Sequence, residues 1–128
     1  MLFDGKLPNC ETSMKTSDLF SALSNEIRLR CLSLMQLEGE LCVCELTHTL
    51  ELSQPMVSRH LAILRDTGLV SDRRSGQWIY YRIQPDLGDW VKQIITTTVT
   101  ANKNTAPFKN DQKALKNMPD RPDASCCD

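Results

Sequence analysis

Two cysteines, Cys42 and Cys44, are separated by a single residue, and their thiols are well suited to binding a soft ion. Sulfur ligands select ions such as As(III), Sb(III), Cd(II), Zn(II) and Cu(I). Zinc normally takes four ligands, often including histidine. The last apolar helix that the sequence predicts offers only Asp86 and Asp89 near its start. A pyramidal ion held by three thiolates therefore fits the sequence better than zinc bound between helices.

The other cysteines differ in their surroundings. The chain has six cysteines and no apolar leader at its N-terminus, which predicts reduced thiols in a cytoplasmic protein. No segment approaches the roughly 18 apolar residues of a membrane span. Cys31 lies within an apolar helical pattern and reads as a small buried hydrophobic residue. Cys126 and Cys127 form a second close pair near the C-terminus.

The positive charge of the chain is concentrated in one segment. The whole chain has a net charge of −1, which by itself argues against nucleic acid. Residues 1–52 contain four Lys/Arg and eight Asp/Glu, a net charge of −4, and residues 85–128 balance at six against six. Residues 53–84 contain five Arg and two Asp, a net charge of +3. This basic segment is where a DNA surface is expected.

Hydrophobic periodicity and capping residues predict the elements that would position these groups. The prediction begins with a flexible arm over 1–15, a short helix capped by Thr16 or Ser17 and ending at Leu23, and a helix that Asn25 caps and Gly39 ends. A short helix with Val43, Leu46 and Leu50 on its inner side and a helix from Gln54 to about Thr67 follow. Strands are predicted at 69–73 and 78–83, then a helix from about 86 that weakens near 96–100 and a disordered tail over 101–128. The fold class is mainly α with a β-hairpin, a winged helix-turn-helix domain over 16–100. The first and last helices could each cap the core of one subunit, but a homodimer that pairs through them is the preferred prediction.

The fourth predicted helix has a polar face opposite its apolar one. With Val57, Leu61 and Leu64 turned inward, polar and basic side chains lie outside, where they suit base edges and phosphates of double-stranded DNA. Basic groups also cluster at the hairpin tip. His60 lies between the two faces, so a phosphate contact and a packed structural role both remain open. The predicted DNA contacts are Ser53, Gln54, Ser58, Arg59, His60 and Arg65 on the helix and Arg73, Arg74 and Gln77 on the hairpin.

The spacing of Cys42 and Cys44 raises a geometric problem. In a regular helix, residues two apart differ by about 200° and point to opposite sides. In an extended segment they share a side. A single ion can therefore hold both thiolates only if the helix start is unwound or distorted. Ion binding is expected to strain the helix-turn-helix for this reason.

The segment Leu41-Cys42-Val43-Cys44-Glu45-Leu46, the run from Ser53 to Val70 and the segment Gly76-Gln77-Trp78-Ile79-Tyr80-Tyr81 together resemble the arsenical-resistance repressors of the ArsR/SmtB family. The resemblance covers roughly residues 16–95. It implies a homodimeric winged-helix repressor that occupies its operator when metal-free. It also implies that As(III) or Sb(III), bound by Cys42 and Cys44, releases the protein and permits transcription of resistance genes.

The sequence departs from the family pattern at one position. The pattern has a third cysteine three residues after the second, and Thr47 stands there in this chain. The third ligand is therefore open among Cys126, Cys127 and Cys10, possibly from the other subunit, and a solvent or small-thiol ligand. An inert tail pair is the alternative for Cys126 and Cys127.

Two other functions compete with this interpretation. A winged-helix repressor could use the cysteines as a redox or persulfide sensor, because close thiols oxidise to disulfides. A thiol enzyme or metal-sequestering protein is a different class. The sequence contains no Ser/His/Asp or Cys/His arrangement, no glycine-rich phosphate loop, and only two histidines, so no enzyme is predicted.

Overall fold

The computed structural model describes residues 14–119 and residue 121. In chain order the elements are α1 (Thr16–Leu23), α2 (Glu26–Glu38), β1 (Leu41–Cys42), α3 (Val43–Leu50), α4 (Gln54–Thr67), β2 (Val70–Ser75), β3 (Trp78–Ile83), α5 (Asp89–Asn102) and α6 (Phe108–Lys116). The mainly α fold with a β-hairpin is confirmed. Three of its details differ from the sequence prediction: α5 starts later, β1 was not expected, and α6 lies in the predicted tail.

The helix-turn-helix consists of α3 and α4, and its limits follow from local chemistry. The Ser53 side chain accepts a hydrogen bond from the Met56 amide at 3.3 Å and so caps α4, with Pro55 in the first turn. Gly68 ends α4 in the left-handed region, at φ 99°. Glu51 turns the chain between the two helices with φ 57°, an uncommon value for a residue with a side chain.

The wing is the antiparallel hairpin of β2 and β3, which pair from Val70↔Ile83 to Ser75↔Trp78. Gly76 supplies the positive φ of 62° that the tight turn needs. The two residues of β1 pair with the other edge of β3, so the strand order is β1-β3-β2. Residues 41–44, which carry both thiols, are called the thiol segment below. Its first half, Leu41–Cys42, is part of the wing sheet.

The core lies where α1, α2, α3 and α4 meet the inner side of the wing. The residues predicted to point inward from α4, Val57, Leu61 and Leu64, are all fully buried. The next apolar layer comes from α5, through Val91 and Ile95. No helix within residues 14–119 is long and apolar enough to cross a membrane.

The prediction of disorder from residue 101 onward is wrong for most of that segment. Helix α5 continues through the β-branched run to Asn102, and α6 packs against α2 and α3. Leu115 is buried in the core, and the Arg30 guanidinium donates two hydrogen bonds to the Asp111 carboxylate, at 2.7 and 2.8 Å. One apolar anchor and one buried ion pair order a segment whose composition is mostly polar. Residue 120, residues 122–128 and most of the predicted N-terminal arm, 1–13, lie outside the described residues.

Candidate thiol site and nucleic-acid interface

Cys42 and Cys44 lie on either side of the start of α3. Cys42 is the last residue of β1 and the N-cap of α3, with extended backbone angles of φ −79° and ψ 151°. Cys44 lies in the first turn of the helix, and the two Sγ atoms are 3.1 Å apart. Cys42 is extended and the helix begins between the two cysteines, so the thiols lie together without unwinding of α3. That ion binding strains the helix-turn-helix stays a prediction.

The buried side chain of Glu45 stabilises this arrangement of the two cysteines. Its carboxylate is 0% exposed and accepts the Cys42 backbone N–H at 2.7 Å through Oε1. Its Oε2 accepts a hydrogen bond from Arg121 Nε, also at 2.7 Å. Burying a carboxylate is costly unless it is paired and hydrogen-bonded, and here both conditions are met. The thiol segment is therefore fixed by a residue from the far end of the chain.

The electrostatics of the site favour the protonated form of the Cys44 thiol. Burial raises the pKa of Cys44 to about 12, helped by the neighbouring Cys42 and by the charge of Glu45. An incoming ion must therefore displace protons. Cys31, away from the site, is fully buried as predicted, and burial raises its pKa to about 12 as well. Within residues 14–119 and 121, no cluster of three His, Cys, Asp or Glu side chains could hold a metal.

A cavity of about 440 Å³ opens beside the two sulfurs, between α3, the N-terminal half of α4 and the wing. Three of the predicted DNA contacts share its wall with both thiols. The lining residues are Cys42, Val43, Cys44, Thr47, His48, Gln54, Ser58, Gln77, Trp78, Ile79 and Tyr81. The two thiols and three predicted DNA contacts, Gln54, Ser58 and Gln77, therefore line the same cavity.

The predicted contacts on α4 divide into exposed and engaged side chains. Gln54 and Arg59 are exposed, and Ser58 is partly buried at the cavity. The Ser53 hydroxyl is used as the helix cap. Arg65 donates to Asp72 of β2 at 3.3 Å, which joins the end of α4 to the wing.

His60 has a structural partner. Its Nδ1 lies 3.1 Å from Arg28 Nη1, and Arg28 Nε donates to the Ala22 carbonyl at 2.8 Å. Because arginine has only donors, Nδ1 must be the acceptor and the imidazole neutral. Partial burial lowers the pKa of His60, and the positive charges of Arg28 and Arg59 lower it further. The geometry favours the packed structural role over the phosphate contact.

Of the two wing arginines, one is held by other side chains of the protein and the other is exposed. Arg73 donates two hydrogen bonds of 2.7 Å to the Glu40 carboxylate and lies over the Tyr80 ring, 4.7 Å from its centroid. Arg74 is exposed, as is Gln77 in the turn. Glu40 directly precedes β1, so Arg73 connects the wing to the thiol segment rather than simply facing outward.

Sequence reasoning missed the roles of Glu45 and Arg121. Glu45 stands three residues after the N-cap, the position from which a glutamate reaches back to the N-cap amide. That spacing was a usable signal. Nothing local in the sequence marks Arg121 as its partner, because 76 residues separate the two.

A helix-turn-helix followed by a wing, with polar and basic side chains along the second helix and at the wing tip, defines a winged-helix DNA-binding regulator. The family model "Bacterial regulatory protein, arsR family" matches residues 25–72. Two arsenic resistance transcriptional regulators of Pseudomonas putida are similar to the chain. ArsR1 is 48% identical over 81% of this chain and 80% of its own length, and ArsR2 is 47% identical over 86% and 96%.

Solved structures agree with this assignment. HlyU from Vibrio cholerae superposes with a TM-score of 0.60 at 38% identity, covering 67% of this chain and 89% of that one. A homodimeric winged helix-turn-helix domain from Mycobacterium bovis gives 0.57 at 30% identity, over 69% and 79%. The chain belongs to the arsR family of bacterial regulatory proteins, and the prediction of a regulator rather than an enzyme is confirmed.

Proposed function

We propose that this protein is a metalloid-responsive transcriptional repressor. It binds operator DNA when metal-free and leaves it when As(III) or Sb(III) binds the thiolates of Cys42 and Cys44, which permits expression of arsenic-resistance genes. The observation that carries the proposal is the pair of sulfurs 3.1 Å apart on the wall that Gln54, Ser58 and Gln77 also line. The names of the Pseudomonas putida relatives support the metalloid as inducer.

Two connections would transmit ion binding to the DNA surface. Cys44 belongs to α3, which packs directly against α4. Cys42 pairs with Tyr80 of β3, and Glu40 holds Arg73 of β2, so the wing follows any movement of the thiol segment. If As–S bonds draw the two sulfurs toward one ion, α4 and the wing would shift relative to each other.

The third ligand is proposed to come from the C-terminal pair. Arg121 is held at Glu45, directly beneath the thiol segment, and Cys126 follows five residues later. Five residues span at most about 17 Å when extended, so Cys126 or Cys127 can reach the site from that anchor. Cys10 stays the other candidate in the chain. Water or a small thiol would complete the coordination if the tail does not.

The repressor is proposed to act in the cytoplasm as a homodimer. On α1 the Phe20 side chain is 51% exposed, and on α5 Trp90 is 40% exposed. Large apolar side chains on these two helices suit a second copy of the chain. The homodimeric structure from Mycobacterium bovis supports this arrangement. A dimer would place two copies of α4 in successive major grooves of the operator.

The test is release from an operator fragment, followed by fluorescence anisotropy as arsenite is added. Wild-type protein should dissociate, whereas Cys42→Ser/Cys44→Ser should bind the same DNA and remain bound. Cys31→Ala is the matched control, because it removes a buried thiol outside the site. If the double variant still leaves DNA on adding arsenite, the proposed ligands are wrong.

Thiol oxidation is the second candidate function, and the short distance between the two sulfurs favours it. Hydrogen peroxide could take two electrons from the pair, forming one S–S bond and releasing two molecules of water, with limited movement of the sulfurs from 3.1 Å. Mass spectrometry of the released protein separates the two functions. Bound arsenic with intact thiols supports the metalloid repressor, and a loss of two hydrogens supports the redox sensor.

A further inference from the structure

We propose that Arg121 is a positioning residue for DNA binding. Through the carboxylate of Glu45 it holds the junction between the helix-turn-helix and the wing in the arrangement that fits the duplex. The proposal concerns the protein without any metalloid, and it rests only on the class of winged-helix DNA-binding regulator. It therefore stands or falls separately from the proposed release by arsenite.

The junction lies at one residue of the chain. Cys42 ends β1, which pairs with β3 of the wing, and it is also the N-cap of α3, which packs against α4. The relative position of the wing and α4 therefore depends on how the backbone is held at Cys42. Its amide donates to Glu45 Oε1 at 2.7 Å.

Two other ion pairs connect the wing to the rest of the domain, and water reaches both of them. Arg65 of α4 pairs with Asp72, with side chains 42% and 38% exposed. Arg73 pairs with Glu40, with side chains 55% and 27% exposed. Solvent screens such surface pairs, so they contribute little. The contact at the junction depends instead on a carboxylate that is 0% exposed, so its loss should disturb the junction more.

Glu45 can hold the amide in the interior only while its charge is paired. Its second oxygen, Oε2, accepts a hydrogen bond from Arg121 Nε at 2.7 Å. A buried carboxylate that loses its cationic partner is strongly destabilised, because it is no longer solvated by water either. Without Arg121 the Glu45 side chain would be driven toward solvent. That movement would take the acceptor away from the Cys42 amide and release the start of α3.

The rest of the C-terminal segment brings Arg121 to this position. We call residues 108–119 together with Arg121 the C-terminal brace. Asp111 is joined to α2 by hydrogen bonds of 2.7 and 2.8 Å, Leu115 is buried in the core, and Met118 packs against it. Because these contacts already order the brace, little conformational entropy is lost in placing the guanidinium at Glu45.

The test is the operator affinity of the reduced full-length protein, measured by fluorescence anisotropy without arsenite. Arg121→Ala should weaken binding by about 3- to 30-fold, the range expected for a residue that acts on a binding site through other residues. Arg121→Lys, which keeps the charge, should recover most of that loss. Lys116→Ala is the matched control, because it removes one positive charge from an exposed position of α6, and its affinity should stay within about 2-fold of wild type.

A double-mutant cycle with Glu45→Gln distinguishes positioning from a direct contact with DNA. Glu45→Gln removes the charge that Arg121 neutralises and keeps an oxygen for the Cys42 amide. If Arg121 acts through Glu45, Arg121→Ala should cost little more affinity in this background. If the guanidinium contacts a phosphate itself, its removal should cost the same in both backgrounds and reduce the salt dependence by about one contact. That second outcome would overturn the proposal.

Hydrogen exchange of the DNA-free protein separates positioning from a general loss of stability. At a temperature where circular dichroism shows Arg121→Ala to be folded, amides 42–46 should exchange faster, and those in the middle of α4 should keep their protection. Arg121→Gln, which retains a hydrogen-bond donor, replaces the alanine variant if that variant does not fold, and it should also bind the operator more weakly than wild type.

The two proposals fail in different ways. A folded variant of Arg121 without its charge that binds the operator with wild-type affinity, or an equal loss in Lys116→Ala, would overturn the positioning role and leave release by arsenite untouched. If arsenite does not release the wild-type protein from its operator, the proposed function falls and the positioning role of Arg121 stands.

Discussion

The thiol segment and the DNA-facing surface are neighbours, but they are held very differently. Cys42 is fixed by pairing with β3, by the buried carboxylate of Glu45 and, through it, by Arg121. On the DNA-facing side, Gln54, Arg59 and Arg74 are exposed. A preorganised ligand site loses little conformational entropy on binding, whereas exposed side chains can adapt to a duplex. In the proposed mechanism the rigid region would bind the metalloid, and the adaptable region would respond on the DNA.

The largest expected effect comes from breaking the rigid region at its buried charge. Glu45→Ala should lower the free energy of unfolding by about 3 kcal/mol, because it breaks a buried ion pair with Arg121 and removes the acceptor of the Cys42 amide. Urea denaturation measures the loss. Glu38→Ala, at an exposed position on α2, is the control and should change stability by less than about 0.5 kcal/mol. A small loss in Glu45→Ala would show that the thiol segment is not held by this contact.

The second prediction tests whether α6 belongs to the rigid region. Leu115→Ala should cost about 2–3 kcal/mol, because the side chain is buried where α6 packs on α2 and α3. Lys116→Ala, its exposed neighbour, should cost little. Hydrogen exchange adds a local measurement. We expect faster hydrogen exchange in α3 of the Leu115→Ala variant. Unchanged protection of α3 would show that α6 does not stabilise the thiol site.

The third prediction concerns the adaptable region. Arg59→Ala should weaken operator binding by about 5- to 10-fold and reduce the salt dependence by about one phosphate contact, with stability unchanged. Arg82→Ala is the matched control, because Arg82 is exposed on β3. Anisotropy titrations at several salt concentrations give both quantities. If the Arg59→Ala protein bound the operator with wild-type affinity, the result would contradict the proposal that α4 is the DNA-recognition helix.

The fourth prediction compares two adjacent arginines of the wing. Arg74→Ala should weaken operator binding more than Arg73→Ala at low salt, because Arg73 is engaged with Glu40 and Tyr80. Arg73→Ala should instead alter the response to arsenite, since it removes one of the two described contacts between the wing and the thiol segment, the other being the pairing of β1 with β3. Equal losses of DNA affinity in the two variants, with equal arsenite responses, would contradict this division.

The smallest effect is a pH dependence at His60. Its pKa in the folded protein lies below the ordinary value of about 6.5, so the unfolded chain binds the proton more readily. The stability contributed by the neutral ring is present above that ordinary value and is lost as pH falls through the lowered pKa. Thermal unfolding between pH 7 and 5 should show this loss in wild type and less of it in His60→Gln. An identical pH profile in both proteins would assign the effect to another group.

Much of the fold could be predicted because local signals decide it. Asn25 and Ser53 cap their helices, and the buried spacing of Val57, Leu61 and Leu64 fixes the inner face of α4. The hairpin follows from the change to β-forming residues around Gly76. These features depend on neighbours within a few residues, which the sequence displays directly.

The missed features depend on distant partners. Helix α6 is ordered by Arg30–Asp111 and by the burial of Leu115, and β1 exists only because β3 lies alongside it. The closeness of the two sulfurs follows from that strand, since it ends the extended segment at Cys42. The thiols themselves could be chosen from spacing and residue type. Their relative position could not.

The two residues of β1 have one more consequence, for the solubility of the protein. They pair with β3 at Tyr80 and Tyr81 and so cover part of one edge of the hairpin, while β2 forms the other edge of the described sheet. That edge bears Asp72, Arg73 and Arg74, and charges on an open strand discourage a second strand from adding to it. Detaching β1 would uncover β3 at Tyr80 and Tyr81, the two residues with which it pairs. We therefore expect the segment that carries Cys42 also to limit strand-to-strand aggregation.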